Sequence, residues 1–372
     1  MNKVCDFDQI NDKDKTFELC MRAVKENGLM LKYVPTSVAD YKDICLVAIQ
    51  DNPFAMMYIP MEMRTYNICY KAVINGALLT EVPHTVMNYA LCHKAVSNYG
   101  IALAVVPLCL INEKLCYTAV LNNGNALEYV PEKYKTIKVI TTAVSKCGDA
   151  LRFVQIPTFE ICSIAVRAPT HIDRPNMAIC YVGEKYAKLL YHQAVAYCGS
   201  SLQFIPEQEK TEYMCKTAIS NCAHAIEYTP VEFLTFEICR EVVNVDGSLI
   251  RFVPLAFRTY ELCKEAVFNC ACAFAHIPQN HRAQELCDHA VKMIPFNLRY
   301  VPHDNQTNEM CVSAVIADYR TMDFCINLSQ EMLNKIPREH ILDYMNYAET
   351  YSIQGRESKQ LQIIKTNHKN AF

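Results

Sequence analysis

A short motif recurs along the chain at nearly constant spacing. The segment Thr259–Cys270 reads TYELCKEAVFNC and aligns with Thr16–Asn27 and Thr235–Asp246. Its anchor is Cys-x-x-Ala-Val or a close variant, most anchors lie 24 residues apart, and degenerate copies begin at Ile140 and Tyr191. This period is typical of repeat proteins, in which a unit that cannot bury its own apolar face stacks on its neighbours. The cysteine anchors are Cys20, Cys45, Cys69, Cys92, Cys116, Cys162, Cys215, Cys239, Cys263, Cys287 and Cys311.

A row of prolines keeps phase with the anchors. Most of them lie fifteen residues after an anchor and follow an apolar pair such as Leu127 and Tyr129, whereas Pro83 comes one residue early and Pro157 two residues late. Two features in phase over most of the chain indicate about thirteen copies of one unit between residues 16 and 324. The prolines in phase are Pro35, Pro60, Pro107, Pro131, Pro206, Pro230, Pro254, Pro278 and Pro302.

The first half of each unit is predicted to be an α-helix. Leu19, Cys20, Ala23 and Val24 are spaced so that they share one helical face. Thr16 stands just before this apolar run, where its side chain can cap the first turn. We expect the anchor cysteines to be small packing residues, because stacked helices lie roughly 8–10 Å apart. That separation exceeds the ~7 Å between Cα atoms that a disulfide tolerates.

The second half of the unit, such as NALEYVPEKYKT at residues 125–136, returns the chain to the next helix. A proline disfavours helical backbone at the residue before it. We therefore expect a short helical turn, a break at Val130–Pro131 and then a tight turn, with a single regular second helix as the alternative. Gly28 follows the first helix, where a glycine after the C-cap can take a positive φ.

These units predict an all-α fold, an α-solenoid of about thirteen helix–turn units stacked in a curved array. Residues 1–15 are a polar leader or N-terminal cap, and residues 16–324 form the repeat region. Residues 325–372 lose the repeat pattern and keep helical character, so they are predicted to form a C-terminal capping helix and a frayed tail.

One region, at about residues 155–190, departs from the repeat. The step from Cys162 to Tyr191 is 29 residues long, and two prolines interrupt it. Inserted segments of repeat proteins map to loops and often carry binding specificity. The candidate binding residues of this loop are polar and of both charges. A tolerated surface loop and a hinge are the alternatives. The candidates are Arg167, His171, Asp173 and Arg174.

The twenty cysteines suit a reducing compartment, with mostly buried free thiols. Cys270, Cys272 and His276 form the most metal-like spacing, because thiolate and imidazole suit tetrahedral zinc. They are a weak candidate, since Cys270 and His276 occupy ordinary repeat positions. Four cysteines share one position near the end of the first helix, where they form either a half-exposed thiol row or simple capping variation. They are Cys147, Cys198, Cys222 and Cys270.

Several classes of function find no support in the sequence. A formal net charge of −3 provides no basic field for nucleic acid. The first residues, MNKVCDFDQINDKDK, lack the apolar stretch of a secretory signal, and no apolar run reaches the ~18 residues of a membrane span. Phosphate-binding, nucleophile-elbow and zinc-protease motifs are absent from the sequence, so we expect a non-enzymatic protein without a cofactor.

The repeat resembles a known family of helical repeats of this length. The residues that carry the resemblance include ELCKEAVFNCACAFAHIP (Glu261–Pro278) and KLCYTAVLNNGNALEYVP (Lys114–Pro131). The family has no established function and is abundant in giant DNA viruses of amoebae (mimivirus relatives). It also occurs in some amoeba-associated bacteria. The resemblance implies a viral or host-directed repeat protein, located in the host cytoplasm or the virion. It transfers no catalytic residue.

These observations favour a protein–protein interaction scaffold with a partner of unknown identity. A stack of repeats offers a long surface whose exposed residues vary without affecting the core. A structural component of the virion is the first alternative. A metal-dependent or thiol-dependent protein is the second.

Overall fold

The computed structural model describes residues 7–169, 176–326, 329–350 and 359–369. Within those residues every regular element is helical and no strand is present, so the predicted all-α class is confirmed. The chain divides into two compact units, Met1–Phe204 and Ile205–Phe372. The three-part division into leader, repeat region and C-terminal cap stays a prediction.

The first unit contains eight α-helices within its described residues, and each packs against the next. In the described part of the second unit there are eight more, and each of the second to fifth of these helices packs against the next. The helices are α1 Phe17–Glu26, α2 Tyr41–Asp51, α3 Tyr66–Ile74, α4 Tyr89–Asn98, α5 Glu113–Asn122, α6 Ile137–Lys146, α7 Phe159–Val166, α8 Glu184–Tyr197, α9 Glu212–Asn221, α10 Phe236–Val245, α11 Tyr260–Asn269, α12 Gln284–Met293, α13 Asn308–Ala317, α14 Gln330–Lys335, α15 Arg338–Thr350 and α16 Lys359–Lys369.

Most repeats have the same internal order. In the fifth repeat, α5 is followed by a six-residue 3₁₀ turn at Gly124–Tyr129 and then by a three-residue 3₁₀ turn at Glu132–Tyr134. Val130 between them is extended, with φ −77° and ψ 121°. The predicted turn, break and second turn are therefore confirmed, and this repeat has no regular second α-helix. Within each unit the long 3₁₀ turns of successive repeats also contact one another.

Most helices of the repeats begin at polar caps. The Thr16 hydroxyl oxygen accepts a hydrogen bond from the backbone N–H of Leu19, as predicted. Asn112 makes the equivalent bond to the N–H of Leu115 at 2.9 Å. Such caps satisfy amides that have no partner inside the helix.

The anchor residues form the core. All eleven anchor cysteines are buried, and Cys20 is enclosed together with Ala23 and Val24. Tyr191 is also buried, whereas Ile140 at the other degenerate anchor is half-buried. The apolar face predicted from the helical spacing is therefore the packed face. A small side chain at the anchor suits this face because it allows neighbouring helices to approach closely.

The expected positive φ at the glycines that follow the first helix is wrong. Among the described glycines, only Gly76 has a positive φ, at 108°. Gly28 instead begins a 3₁₀ turn, and a Cβ added there would lie 2.3 Å from the carbonyl oxygen of Ala48. Gly100 approaches the carbonyl oxygen of Ala119 in the same way. Glycine is required here because two backbones meet, not because the chain turns left-handed.

The irregular region has its extra residues before the 3₁₀ turn Ala178–Tyr181, because Val182 at the end of that turn lies 20 residues after Cys162, whereas the equivalent Val130 lies 14 residues after Cys116. α8 begins at Glu184, seven residues before the anchor Tyr191, whereas α1 begins three residues before Cys20. Asn176 is buried where the described chain resumes, and its side-chain amide donates to the carbonyls of Ala165 and Val166. The predicted loop insertion falls between α7 and the turn Ala178–Tyr181, where residues 170–175 lie outside the described residues, so it stays a prediction.

The C-terminal region packs against the last repeat of the second unit. Tyr344 on α15 is fully buried, and its hydroxyl donates to the Asp323 carboxylate at 2.5 Å. α15 covers the 3₁₀ turn Tyr319–Phe324. This arrangement shields an end of the repeat stack, which a solenoid requires.

Candidate functional site

The exposed faces of neighbouring helices in the second unit are connected by ion pairs. The guanidinium of Arg240 on α10 donates to both carboxylate oxygens of Glu265 on α11, at 3.2 and 2.8 Å. Lys264 on α11 donates to Glu285 on α12 at 2.8 Å. These pairs bridge the surface between successive helices. Because they are exposed, each adds little to stability.

Between α12 and α13 the surface opens into a groove of about 670 Å³. Three buried side chains, Val291, Met310 and Ala314, reach its floor. The groove therefore presents an apolar floor on the same side as the bridged surface. Its other lining residues are Gln284, Asp288, Lys292, Pro295, Thr307, Glu309, Ser313 and Ala317.

The rim of this groove carries charges of both signs. Asp288 and Lys292 are exposed on α12, and Glu309 is exposed on α13. The Ser313 hydroxyl donates to the backbone carbonyl of Glu309 at 2.8 Å, so it is engaged within its own helix. An apolar floor with a charged rim is suited to holding apolar side chains of a ligand in a fixed orientation.

The first unit has a comparable groove between α2 and α3, with a volume of about 500 Å³. Its lining combines apolar Leu46 and Ile74 with Asp43 and Lys71. Ile74 is 42% exposed, which is high for a large apolar side chain on a packed helix. Grooves between neighbouring repeat helices therefore occur in both units.

Most of the residues predicted to form a binding loop lie outside the residues that the structure describes. Arg167 is exposed at the end of α7, and its Nε donates to the carbonyl oxygen of Ser163 at 3.0 Å. It lines a shallow depression of about 320 Å³ together with Tyr197. His171, Asp173 and Arg174 lie outside the described residues. The binding role of these four residues stays a prediction.

The structure brings together two of the three residues in the weak zinc candidate. The Sγ atoms of Cys270 and Cys272 are 2.7 Å apart. His276 ends the same 3₁₀ turn, and partial burial, Arg251 and Arg258 all lower the pKa of its imidazole. Across the described residues, no group of three or more His, Cys, Asp or Glu side chains is placed to hold a metal ion.

Most anchor thiols are chemically quiet, whereas a hydrogen bond with Cys325 lowers the pKa of the anchor Cys311. Burial raises the pKa of Cys116, Cys239 and Cys263 to about 11 from the ordinary value of 9.0. Since the thiolate is the nucleophile and the metal ligand, these cysteines stay protonated and unreactive near neutral pH. Cys198 behaves differently. Burial acts to raise its pKa, but hydrogen bonds from Ser200, the Asn176 backbone and Ser201 lower it overall.

Sequence reasoning missed the groove residues. The outward position two residues after the anchor is Glu265 on α11 and His289 on α12, but Ser313 on α13. Four residues later α13 again carries a small residue, Ala317, where α12 has Met293. Small outward residues on one helix of a repeat array leave a groove beside it. The contrast between small outward residues on α13 and large ones on α12 was the feature of the sequence that could have predicted the groove.

A row of polar side chains between repeats was also missed. Each member stands one residue before a helix N-cap and donates to a backbone carbonyl of the following repeat, as Lys135 does to Phe153 at 3.1 Å. The sequence feature that could have predicted this row is a basic residue or glutamine that recurs one position before the capping residue. The members are Lys15, Arg64, Lys135, Lys210, Arg258, Arg282 and Gln306.

Comparisons with known proteins support the repeat. No described helix combines the length and apolarity needed to cross a bilayer. Searches of curated proteins and of solved structures found no match to the chain. The profile of a family described as "Domain of unknown function (DUF4116)" matches residues 16–64 and 112–155. Both matched segments begin at a helix N-cap, Thr16 and Asn112. Over these two segments the chain is therefore similar to a family whose function is unknown.

Proposed function

We propose that this chain is a non-enzymatic protein–protein interaction scaffold and that the α12–α13 groove receives a segment of a partner protein. The observation that carries the proposal is the apolar floor of Val291, Met310 and Ala314 beneath a rim of both charges. A partner segment with apolar side chains flanked by polar ones fits this surface. Grooves between helices commonly bind such segments.

The energetics favour a short segment with one or two anchoring side chains. Burying apolar surface contributes about 25 cal/mol per Å². Binding a partner also costs translational, rotational and side-chain freedom, so a few well-buried anchors dominate the affinity. The exposed Asp288, Lys292 and Glu309 then select the orientation and charge pattern of the segment.

The test compares two substitutions at equivalent helix positions. Ser313→Arg places a long side chain in the groove, and Glu241→Arg changes the matching exposed position of α10. Each protein is used for affinity purification from infected amoeba lysate with quantitative mass spectrometry. We expect a partner to be recovered with the wild type and with Glu241→Arg and to be lost with Ser313→Arg. Recovery with Ser313→Arg, or no reproducible partner, contradicts the proposal.

We further propose that the protein acts in the cytoplasm of an amoeba infected by a giant virus. This rests on the family resemblance of segments such as Glu261–Pro278 and on the described cysteines, all nineteen of which are free thiols. Free thiols suit a reducing compartment. Mass spectrometry of purified virus particles and of infected cytosol separates a cytoplasmic scaffold from a virion component.

A further inference from the structure

One cysteine pair combines close contact between two thiols with exposure to solvent. Cys270 ends α11 and begins the 3₁₀ turn Ala271–His276, with extended backbone at φ −143° and ψ 110°. At the equivalent cap, Asn123 accepts a hydrogen bond from the N–H of Asn125, two residues further on. A side chain at this cap therefore lies over the residue two positions later.

At Cys270 the residue two positions later is another cysteine. The two Sγ atoms lie 2.7 Å apart, within the reach of a thiol hydrogen bond. The same cap position holds Cys198 over Ser200, with Sγ and Oγ 3.2 Å apart. Two other repeats also have a cysteine at this cap. The residue two positions later is His224 in the repeat with Cys222 and Asp149 in the repeat with Cys147. Among the described cysteines at this cap, Cys270 is the one that faces a second thiol.

The pair is also accessible. Cys272 is exposed and Cys270 is half-buried, whereas the anchor cysteines are fully buried. Burial and the hydrogen bond with Cys270 raise the pKa of Cys272 to about 11. Either sulfur can donate the proton of the hydrogen bond between them.

We propose that Cys270 and Cys272 form a redox-active dithiol that hydrogen peroxide converts into an intramolecular disulfide. The Cys270 thiolate attacks one peroxide oxygen, the O–O bond breaks, and the other oxygen leaves and becomes water after taking up a proton. The Cys272 sulfur then attacks the Cys270 sulfenic acid. The S–S bond forms, the S–O bond breaks, and the hydroxyl departs as water with the Cys272 proton. Two thiols are oxidised and one peroxide is reduced to two waters.

The site is independent of the proposed groove, because it is built from a helix end and a single turn. Bringing the sulfurs from 2.7 Å to the ~2.05 Å of a disulfide needs only a small side-chain adjustment. An intramolecular bond is favoured over attack by a second protein molecule, because the second thiol is already in place.

The test treats the full-length native protein with a modest excess of hydrogen peroxide, blocks remaining thiols with iodoacetamide and digests with trypsin. Cleavage after Lys264 and Arg282 releases one peptide that contains Cys270 and Cys272 as its sole cysteines. We expect this peptide to lose two hydrogens, to escape alkylation and to recover both thiols after dithiothreitol. Peptides with Cys147 or Cys222 should form sulfenic acid, which dimedone traps.

A matched variant decides between the dithiol and general cysteine oxidation. Cys272→Ser reproduces the Cys198–Ser200 arrangement, so its Cys270 should accumulate a dimedone-reactive sulfenic acid in place of the disulfide. The proposal is overturned if the wild-type peptide keeps two alkylatable thiols while Cys222 is oxidised. It is also overturned if Cys270 is recovered in a disulfide with a different cysteine.

Discussion

The guanidinium of Arg258 donates a hydrogen bond from Nη1 to the carbonyl oxygen of His276, 18 residues further along the chain, at 2.8 Å. Its Nε donates to the backbone carbonyl of Val253 at 2.8 Å, and its Nη2 donates to the backbone carbonyl of Arg251 at 3.0 Å. One side chain thus connects the turn before α11 with the turn after it. Arg64 repeats the pattern in the first unit, with bonds to the carbonyls of the preceding turn and of Glu81.

Arg258→Met should lower the free energy of unfolding by about 1–3 kcal/mol, because three carbonyls lose their donor. Arg258→Lys should lower it less, since Lys210 makes the equivalent bond to the Tyr228 carbonyl at 2.6 Å. Urea unfolding followed by circular dichroism measures both. A methionine variant as stable as the wild type would show that water satisfies these carbonyls equally well.

Gly124→Ala should destabilise the first unit by about 1–3 kcal/mol, the usual cost of forcing an extra carbon into a packed site. The added Cβ would lie 2.4 Å from the carbonyl oxygen of Ala143. Gly183→Ala is the control, because nothing lies within 4 Å of its Cβ position. It should cost less than Gly124→Ala, at most about 1 kcal/mol, because its one unfavourable effect is the loss of glycine at the N-cap of α8. Calorimetric melting of both variants tests the close-approach explanation, and equal melting temperatures would refute it.

Cys239→Glu should unfold or strongly destabilise the second unit, by about 3–5 kcal/mol, because it buries an unpaired charge. Cys239 itself is fully buried. Cys239→Ala should cost only about 1 kcal/mol, since it keeps a small apolar side chain. Val245→Glu on the same helix is the surface control, because Val245 is 73% exposed. If the Val245 change is the more damaging of the two charged substitutions, the inside of the helix has been assigned wrongly.

Stability should fall between about pH 9 and pH 11. Burial raises the pKa of Cys116, Cys239 and Cys263 to about 11 from 9.0. The folded state therefore holds these protons more tightly. Their contribution is fully present below pH 9 and is lost as the pH rises through the folded-state pKa.

Urea midpoints measured from pH 8 to pH 11 test this dependence. Other groups titrate in the same window, so the decisive comparison is with Cys239→Ala, whose pH dependence should be shallower by up to one proton. Identical slopes for the variant and the wild type would show that this thiol does not ionise on unfolding in that range.

The fold class was predictable because the anchor cysteines and the prolines are local features with a fixed period. The roles of Thr16 in capping, of Cys20 in burial and of Pro131 in breaking the helix can each be predicted from residues within one repeat. The role of Gly28 was not predictable in this way. A glycine after a helix usually signals a left-handed turn, and the close approach to Ala48 depends on where the next helix packs.

The candidate groove was harder to predict for the same reason. Ser313 and Ala317 are unremarkable within α13, and their effect appears only beside the larger His289 and Met293 of α12. The cysteine pair was only partly predictable from the sequence. The spacing of Cys270 and Cys272 was visible in the sequence. Only the extended cap conformation of Cys270 shows that the two thiols point at each other.

Two contacts that complete a repeat reach forward in the chain. Arg258 meets a carbonyl 18 residues later, and Gly28 meets a carbonyl of Ala48 in the following helix. The ribosome synthesises the protein from its N-terminus. The last repeat to emerge therefore lacks the later carbonyl that its arginine binds and the next helix that packs against its glycine. Each layer closes only when roughly one further repeat has emerged, and folding during translation should trail synthesis by that fixed distance.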